Sequence, residues 1–314
     1  MTRRENNTLK KFVDRLLSLV SVAIFLFLFL AGCGGQNATN GIAVSPYDAV
    51  YSNLVDKESQ EILMSTLKNA GAQQLYIDTL LDSVNKYNNA AGNILPVQDG
   101  FEIFTKESAS AYNATKLERK WKRTYKSLMG RKNCRITAFE AMGSLISFIS
   151  GQQITEPLML VETDDSSVFQ TQADIEKFSA LFNGIEVSES IDSASQADQI
   201  KANWEQNGIS FQKNSKISLI SIWFNGPDIH SDNERYILHC GHAAVLIHTE
   251  NDEVLLLEKL DYNFPYQLIR FPSEESALKY IVDFDCGEVN DDIITPVVLV
   301  NDQLLRMANG FFVY

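Results

Sequence analysis

Histidine, cysteine and long apolar runs are all scarce in this chain. Only four histidines and four cysteines occur in 314 residues. His239, Cys240 and His242 crowd one stretch, but two ligands on one strand face make no zinc site without partners elsewhere. We expect neither a metal nor a cofactor. Positive charge is also short. Lysine and arginine number 27 against 40 aspartates and glutamates, a net charge of −13. An acidic chain is a poor general binder of nucleic acid, so no nucleic-acid partner is expected. There is no internal repeat. The one long apolar run, Leu16 to Leu30, is shorter than the roughly 20 residues a membrane-spanning helix needs.

That run follows Arg3, Arg4, Lys10, Lys11 and Arg15, and it stops at Leu30-Ala31-Gly32-Cys33. A basic start, a short apolar stretch and small residues at a cleavage point describe an export signal. The four final residues resemble the lipobox of bacterial lipoproteins. The resemblance implies that residues 1–32 are a signal peptide and that the Cys33 thiol takes a diacylglycerol. An uncleaved N-terminal anchor is the alternative. The polar, Gly-rich segment after Cys33 makes residues 33–45 a flexible tether. Two acyl chains hold a protein to a bilayer far better than one. The expected partner is therefore the membrane, and the expected location is the outer face of the bacterial cytoplasmic membrane.

Removing 32 residues from 314 leaves 282, with a charge of −16 because the leader carries five basic and two acidic residues. Residues 46–314 suit a single globular domain. Cys134, Cys240 and Cys286 remain, and an odd number leaves at least one thiol unpaired. A pairing of Cys240 with Cys286 stays open. An exported unpaired thiol is either buried and inert or a nucleophile.

Apolar spacing predicts helices between Pro46 and Asn88. Asp56 caps a helix that Gly71 ends, and a second runs over 72–87. A loop follows over 92–100. A charged helix spans 115–129, and a buried helix runs from Cys134 to about Ile149. Residues 164–214 read as polar and helix-rich, with helices near 172–183 and 195–207. Strands are predicted at 217–224, 236–248, 253–260 and 266–271, with Asn251-Asp252 as a hairpin turn. A short helix at 273–283 and edge strands over 296–307 and 311–314 complete the chain. Helices first (46–214) and an antiparallel sheet last (215–314) indicate an α+β fold, the helical part packed on the sheet.

Three features carry chemistry. Cys134 sits at a predicted helix start, where the helix dipole lowers a thiol's pKa. Nine of the 22 basic residues beyond the leader fall within residues 116–135, against one acid, Glu118. A thiolate is the nucleophilic form, and this setting favours it. His242 opens a run of small and β-branched residues, a rigid mount for a base. Glu258 follows three leucines. If its strand pairs with that of His242, it orients the ring as the third member of a triad. Asp261 is the reserve for that role. Against these stand plainer readings: a solvated basic helix beside a core cysteine, a structural strand histidine, and a carboxylate paired with Lys259.

The order of cysteine on a helix, histidine on a strand and acid on the next strand resembles the papain-like cysteine peptidases and related cell-wall amidases. The resemblance implies that Cys134 attacks, His242 moves the proton and Glu258 orients it. The usual glutamine of the oxyanion hole is missing, and Asn133 with the Cys134 backbone N–H are the substitutes. The segments Asn133 to Phe139, Gly241 to Leu246, Glu258-Lys259 and Pro265-Tyr266-Gln267 also resemble a family of bacterial lipoproteins of this length, classed as a domain of unknown function. The expected activity is that of a Cys–His hydrolase or acyltransferase on amide bonds, with cell-wall peptides as the nearby substrate. The alternative is a non-catalytic surface lipoprotein, its tryptophans lining a ligand groove or its basic segment binding an anionic polymer. A degenerate peptidase fold kept as an interaction module is a third reading.

Overall fold

The computed structural model describes residues 45–105, 108, 113–125, 132–149, 169, 171–213, 215–228, 235–285, 288–290, 293–308 and 311–314. The expected signal peptide, the expected lipidation site Cys33 and the expected tether up to residue 44 lie outside the described residues. So do His230, Cys286 and residues 126–131 of the basic window.

Local capping sets the helices. The Asp56 carboxylate accepts from the Ser59 N–H at 2.8 Å and starts α1 (Lys57–Asn69). Gly71, at φ +94°, closes that end, a backbone conformation glycine adopts without strain. α2 (Gln74–Ala91) and α3 (Ala114–Tyr125) follow. Asn133 accepts from the Ile136 N–H and starts α4 (Cys134–Met142). Thr171 caps α5 (Gln172–Phe182) and Asp192 caps α6 (Ser193–Gln206). α7 (Glu274–Asp285) is the seventh α-helix among the described residues.

The strands are β1 (Val50–Ser52), β2 (Glu102–Ile103), β3 (Ile146–Phe148), β4 (Ile185–Val187), β5 (Ile209–Phe211), β6 (Ile217–Pro227), β7 (Tyr236–His248), β8 (Val254–Glu258), β9 (Gln267–Phe271), β10 (Glu288–Asn290), β11 (Ile293–Thr295), β12 (Val297–Val300), β13 (Gln303–Leu304), β14 (Arg306–Ala308) and β15 (Phe311–Val313). The main sheet is antiparallel in the order β13-β12-β6-β7-β8-β9-β1-β2, with β4 added to one end of β7. The β7–β8 hairpin turns at Asn251-Asp252, with Asp252 at φ +63° and the Thr249 N–H bonded to the Glu253 carbonyl at 2.9 Å.

Both faces of this sheet are covered, so its central strands carry apolar residues toward both faces rather than at alternate positions. Ala243, Val245, Leu255 and Leu257 face a core shared with α1 to α6, while Ala244, Leu246, Val254 and Leu256 face one shared with α7. Leu255, Leu256 and Leu257 are all at most 1% exposed. Burying a side chain of that kind stabilises the fold by about 1.5–3 kcal/mol. α4 is buried at all nine positions and therefore runs through the helix-side core instead of over its surface.

The α+β fold stands, with four departures from the sequence expectation. The helix at Cys134 ends at Met142, not near Ile149, and Ile146 to Phe148 pair with β5 instead. Apolar spacing at 145, 146 and 149 suits either state, and the β5 partner decides it. The N-terminal half is not purely helical, because β1, β2 and β4 join the main sheet. Strands of two or three residues are too short to show a period. Residues 164–214 hold β4 and β5 besides their helices. Finally, Val297 to Val300 is an interior strand between β13 and β6, not an edge. The described residues from Ser45 onward form one compact unit.

Candidate active site

β7 is longer than its neighbours, and that mismatch builds the site. On one edge it pairs with β6 from Tyr236 to Ile247. On the other edge β4 covers Tyr236 to Leu238 and β8 covers Val245 to His248. Among the described residues no strand pairs with His239 to Ala244 on that edge. The N-terminus of α4 fills the opening. Arg135 Nη1 donates to the Cys240 carbonyl at 2.7 Å, and the Cys134 thiol donates to the Gly241 carbonyl at 3.8 Å. Backbone groups that a strand would have satisfied are met by a helix end.

A β-bulge aims His242. The register runs Ile222↔His242 and then Trp223↔Cys240, so Gly241 is the extra residue. Bulges re-aim the side chains beside them. Cys240 joins the helix-side core, while His242 runs in phase with Ala244 on the other face. These two residues therefore do not converge as ligands would. Gly241 is required here for space, since a Cβ on it would stand 2.5 Å from the Phe224 ring.

The three residues expected to form the site come together. Cys134 is 4% exposed, His242 7% and Glu258 1%. Burial pushes the Cys134 thiol up, but a hydrogen bond and charge from His242, the Arg135 charge and the Ala243 N–H together bring it below its ordinary value. His242 Nε2 lies 3.5 Å from Glu258 Oε2. Glu258 Oε1 accepts from the Tyr280 hydroxyl of α7 at 2.5 Å. The carboxylate is thus held from the far side of the sheet.

Asp261 is placed differently. Its Oδ1 accepts from the Tyr262 N–H at 2.6 Å, and its charge acts on Lys259 and Arg135. Burial raises its pKa despite those contacts. Glu258 is therefore the carboxylate beside His242. Asn133, the expected oxyanion donor, has its Oδ1 committed to the Ile136 N–H as the cap of α4. Its backbone carbonyl accepts from the Thr137 hydroxyl at 2.8 Å.

The other histidines serve elsewhere. His239 stacks on Phe224, and His248 Nε2 lies 3.7 Å from Glu274. The basic window is less solvated than its composition suggests. Lys132 pairs with the buried Glu140 at 2.5 Å, Lys120 donates to the Ala91 carbonyl, and Arg135 is buried. Trp121, Trp204 and Trp223 all lie in the helix-side core, so they line no exposed ligand groove. An open concavity of about 460 Å³ lies between Lys201 of α6 and the C-terminal strands and includes none of the site residues.

Sequence reasoning missed two members of the surroundings. Tyr280 gave no signal, because nothing local marks one tyrosine of an amphipathic helix as the partner of a distant carboxylate. Lys259 gave a weak one: a lysine directly after the run Leu255 to Glu258 cannot reach solvent on a strand covered on both faces.

A family profile described as a domain of unknown function (DUF4300) matches residues 50–305. No curated protein and no solved structure matches the chain.

Proposed function

The chain belongs to the DUF4300 family, and from its site we propose a Cys–His hydrolase or acyltransferase acting on amide bonds, tethered outside the bacterial cytoplasmic membrane through Cys33. One observation carries this reading. A thiol at the N-terminus of a buried helix engages His242, and Nε2 of the same ring faces Glu258 at 3.5 Å. A nucleophile, a base and a group that orients the base are the minimum set for acyl transfer.

In the proposed reaction His242 takes the thiol proton, and the Cys134 thiolate attacks the carbonyl carbon of the amide. The imidazolium returns that proton to the leaving nitrogen as the C–N bond breaks and a thioester remains. Water then attacks the thioester for hydrolysis, or an amine for transfer, with His242 taking the incoming proton. The Cys134 backbone N–H, at the positive end of α4, is the donor for the developing oxyanion, with the Asn133 amide beside it. Glu258 holds the imidazole in one orientation. The order of helix, histidine strand and acid strand, with the cysteine helix set into an opening of the sheet, supports a papain-like topology. Here glutamate stands where papain-like enzymes have asparagine or aspartate. Cell-wall peptides are the proposed substrates, on the ground of the expected location alone.

A non-catalytic surface lipoprotein is the second reading. The near-complete burial of the thiol favours it, as does the exposed cationic side of α3, which carries Lys116, Arg119 and Arg123. Iodoacetamide labelling of Cys134 separates the two. The rate is followed from about pH 4 to about pH 10, around the ordinary thiol pKa of roughly 8.5, in the protein and in His242→Ala. A midpoint below the ordinary value that rises in His242→Ala is the expected result. Slow labelling with an ordinary midpoint, unmoved by the substitution, would leave only the binding reading.

A further inference from the structure

Three neighbouring strands each set a polar side chain at the same end of the sheet face that α7 covers. His242 of β7 runs in phase with the core residues Ala244 and Leu246, Glu258 of β8 with Val254 and Leu256, and Gln267 of β9 with Ile269 and Phe271. Gln267 stands directly opposite Glu258 in the register. Into this layer α7 brings Tyr280. Its hydroxyl donates to Glu258 Oε1 at 2.5 Å, while Oε2 of the same carboxyl lies 3.5 Å from His242 Nε2. Tyr280 is fully buried. Its ring meets Tyr47, Phe104 and Phe271 at centroid distances of 5.5, 5.2 and 5.7 Å. These ring contacts leave the phenol one direction in which to point its hydroxyl. A phenylalanine would fill the same space with no polar atom to satisfy, and a buried hydroxyl is costly unless it is bonded. The hydroxyl therefore has its use in the carboxyl it meets.

We propose that Tyr280 is a positioning residue of the site, its hydroxyl fixing the Glu258 carboxyl so that one oxygen is held at α7 and the other faces His242. The inference rests on the Cys–His reading above and deepens it by naming the group that sets the acid. It also gives the α7 layer a part in the chemistry, although the nucleophile comes from the other side of the sheet. A glutamate carboxyl turns on a longer stem than an aspartate one, so a bond from outside the strand is what keeps it in place. When the thiol gives its proton to His242, the imidazolium meets an oxygen that need not move to receive it. Without the hydroxyl the carboxyl is free to turn away, the imidazolium loses support, and the thiol keeps its proton to a higher pH. The groups facing Glu258 are His242 of β7, Tyr280 of α7 and the neutral Gln267 of β9. Lys259 lies on the other side, over the Tyr87 and Tyr266 rings. Behind Tyr280 stand Tyr47 and Asp283, bonded to each other at 3.4 Å. His242 and Arg135 act on the thiol itself.

The test uses the full-length protein and reads the pH midpoint of Cys134 labelling by iodoacetamide in Tyr280→Phe, Glu258→Gln and the double variant. Tyr280→Phe keeps the ring and its contacts. It should raise the midpoint by roughly half a unit, a loss of about threefold in labelling rate below the midpoint. Glu258→Gln should raise it further, and adding Tyr280→Phe to Glu258→Gln should change nothing more. An unmoved midpoint in Tyr280→Phe overturns the proposal. So does an equal shift in both backgrounds, because a packing role does not pass through the carboxylate. Should Tyr280→Phe fail to fold, proton NMR of the Tyr280 hydroxyl in the protein and in His242→Ala decides alone. Loss of the imidazole should shift that resonance, and an unchanged one overturns the proposal. The two readings fail separately. A midpoint insensitive to His242→Ala sinks the hydrolase reading, whereas one sensitive to His242→Ala but not to Tyr280→Phe sinks only this inference.

Discussion

Arg135 and Cys240 are joined by a 2.7 Å hydrogen bond from guanidinium to carbonyl, which fastens the N-terminus of α4 to the stretch of β7 that no described strand covers on that edge. The bond does two things at once. It satisfies a strand carbonyl, and it sets a permanent positive charge beside the Cys134 thiol.

Arg135→Met should therefore cost stability and reactivity together. Losing a charged donor to a buried carbonyl costs about 2 kcal/mol, and urea unfolding reads that loss. The labelling midpoint of Cys134 should rise in the same variant. Unchanged stability would mean that the guanidinium is not what holds the helix end.

Gly241→Ala tests the bulge. Its new Cβ would stand 2.5 Å from the Phe224 ring, and overpacking of that kind costs about 1–3 kcal/mol. Phe224→Leu makes room, so the double variant should recover part of the loss in the urea midpoint. A double variant as unstable as the sum of the two singles would place the strain elsewhere.

Tyr280→Phe removes the hydroxyl that donates to Glu258 Oε1. A buried carboxylate oxygen left without its donor costs about 1–3 kcal/mol. In a Glu258→Gln background the same change should cost less, because the charge-assisted bond is already gone. Equal costs in the two backgrounds would show that the tyrosine acts through packing alone.

Stability should rise with pH from neutral into the alkaline range. Burial, opposed by the Asp261 and Cys134 charges, lowers Lys259 to about 7. Cys134 also lies below its ordinary value, its burial outweighed by His242, Arg135 and the Ala243 N–H. Between about pH 7 and about pH 9 both groups hold fewer protons folded than unfolded, and stability grows with pH wherever the unfolded chain binds more protons. Each full proton of difference contributes about 1.4 kcal/mol per pH unit. Above about pH 10 the trend reverses, since unfolded tyrosines ionise. Folded Tyr47, raised to about 12 by burial and Asp283, keeps its proton there. Urea unfolding at intervals across this range checks the profile, and a fall between neutral pH and about pH 9 would contradict it.

Much of the site was legible because its parts are marked locally. Asn133 before an apolar helical stretch signals a cap, and the thiol next to it falls at the positive end of a helix whatever the rest of the chain does. The run from Tyr236 to His248 reads as a strand by composition, and β7 has those bounds. What pairs with each strand was not legible, because pairing is made between residues far apart in sequence. The choice between Glu258 and Asp261 turned on it. Both lie near the end of the same hairpin, but only Glu258 is in β8, facing α7 and Tyr280, while Asp261 has entered the loop that caps Lys259.

The sequence by itself determined the α+β class, the helix starts at Asp56 and Asn133, the hairpin at Asn251-Asp252 and the candidates Cys134 and His242 with an acid at 258 or 261. Capping, periodicity and turn chemistry act over a few residues and need no partner. Only the tertiary structure decided that β7 stays open between β4 and β8, that a bulge at Gly241 aims His242, and that Lys259 is enclosed against the Tyr87 and Tyr266 rings. Register, bulges and burial depend on what the rest of the chain brings alongside, and a short segment carries no record of its distant neighbours.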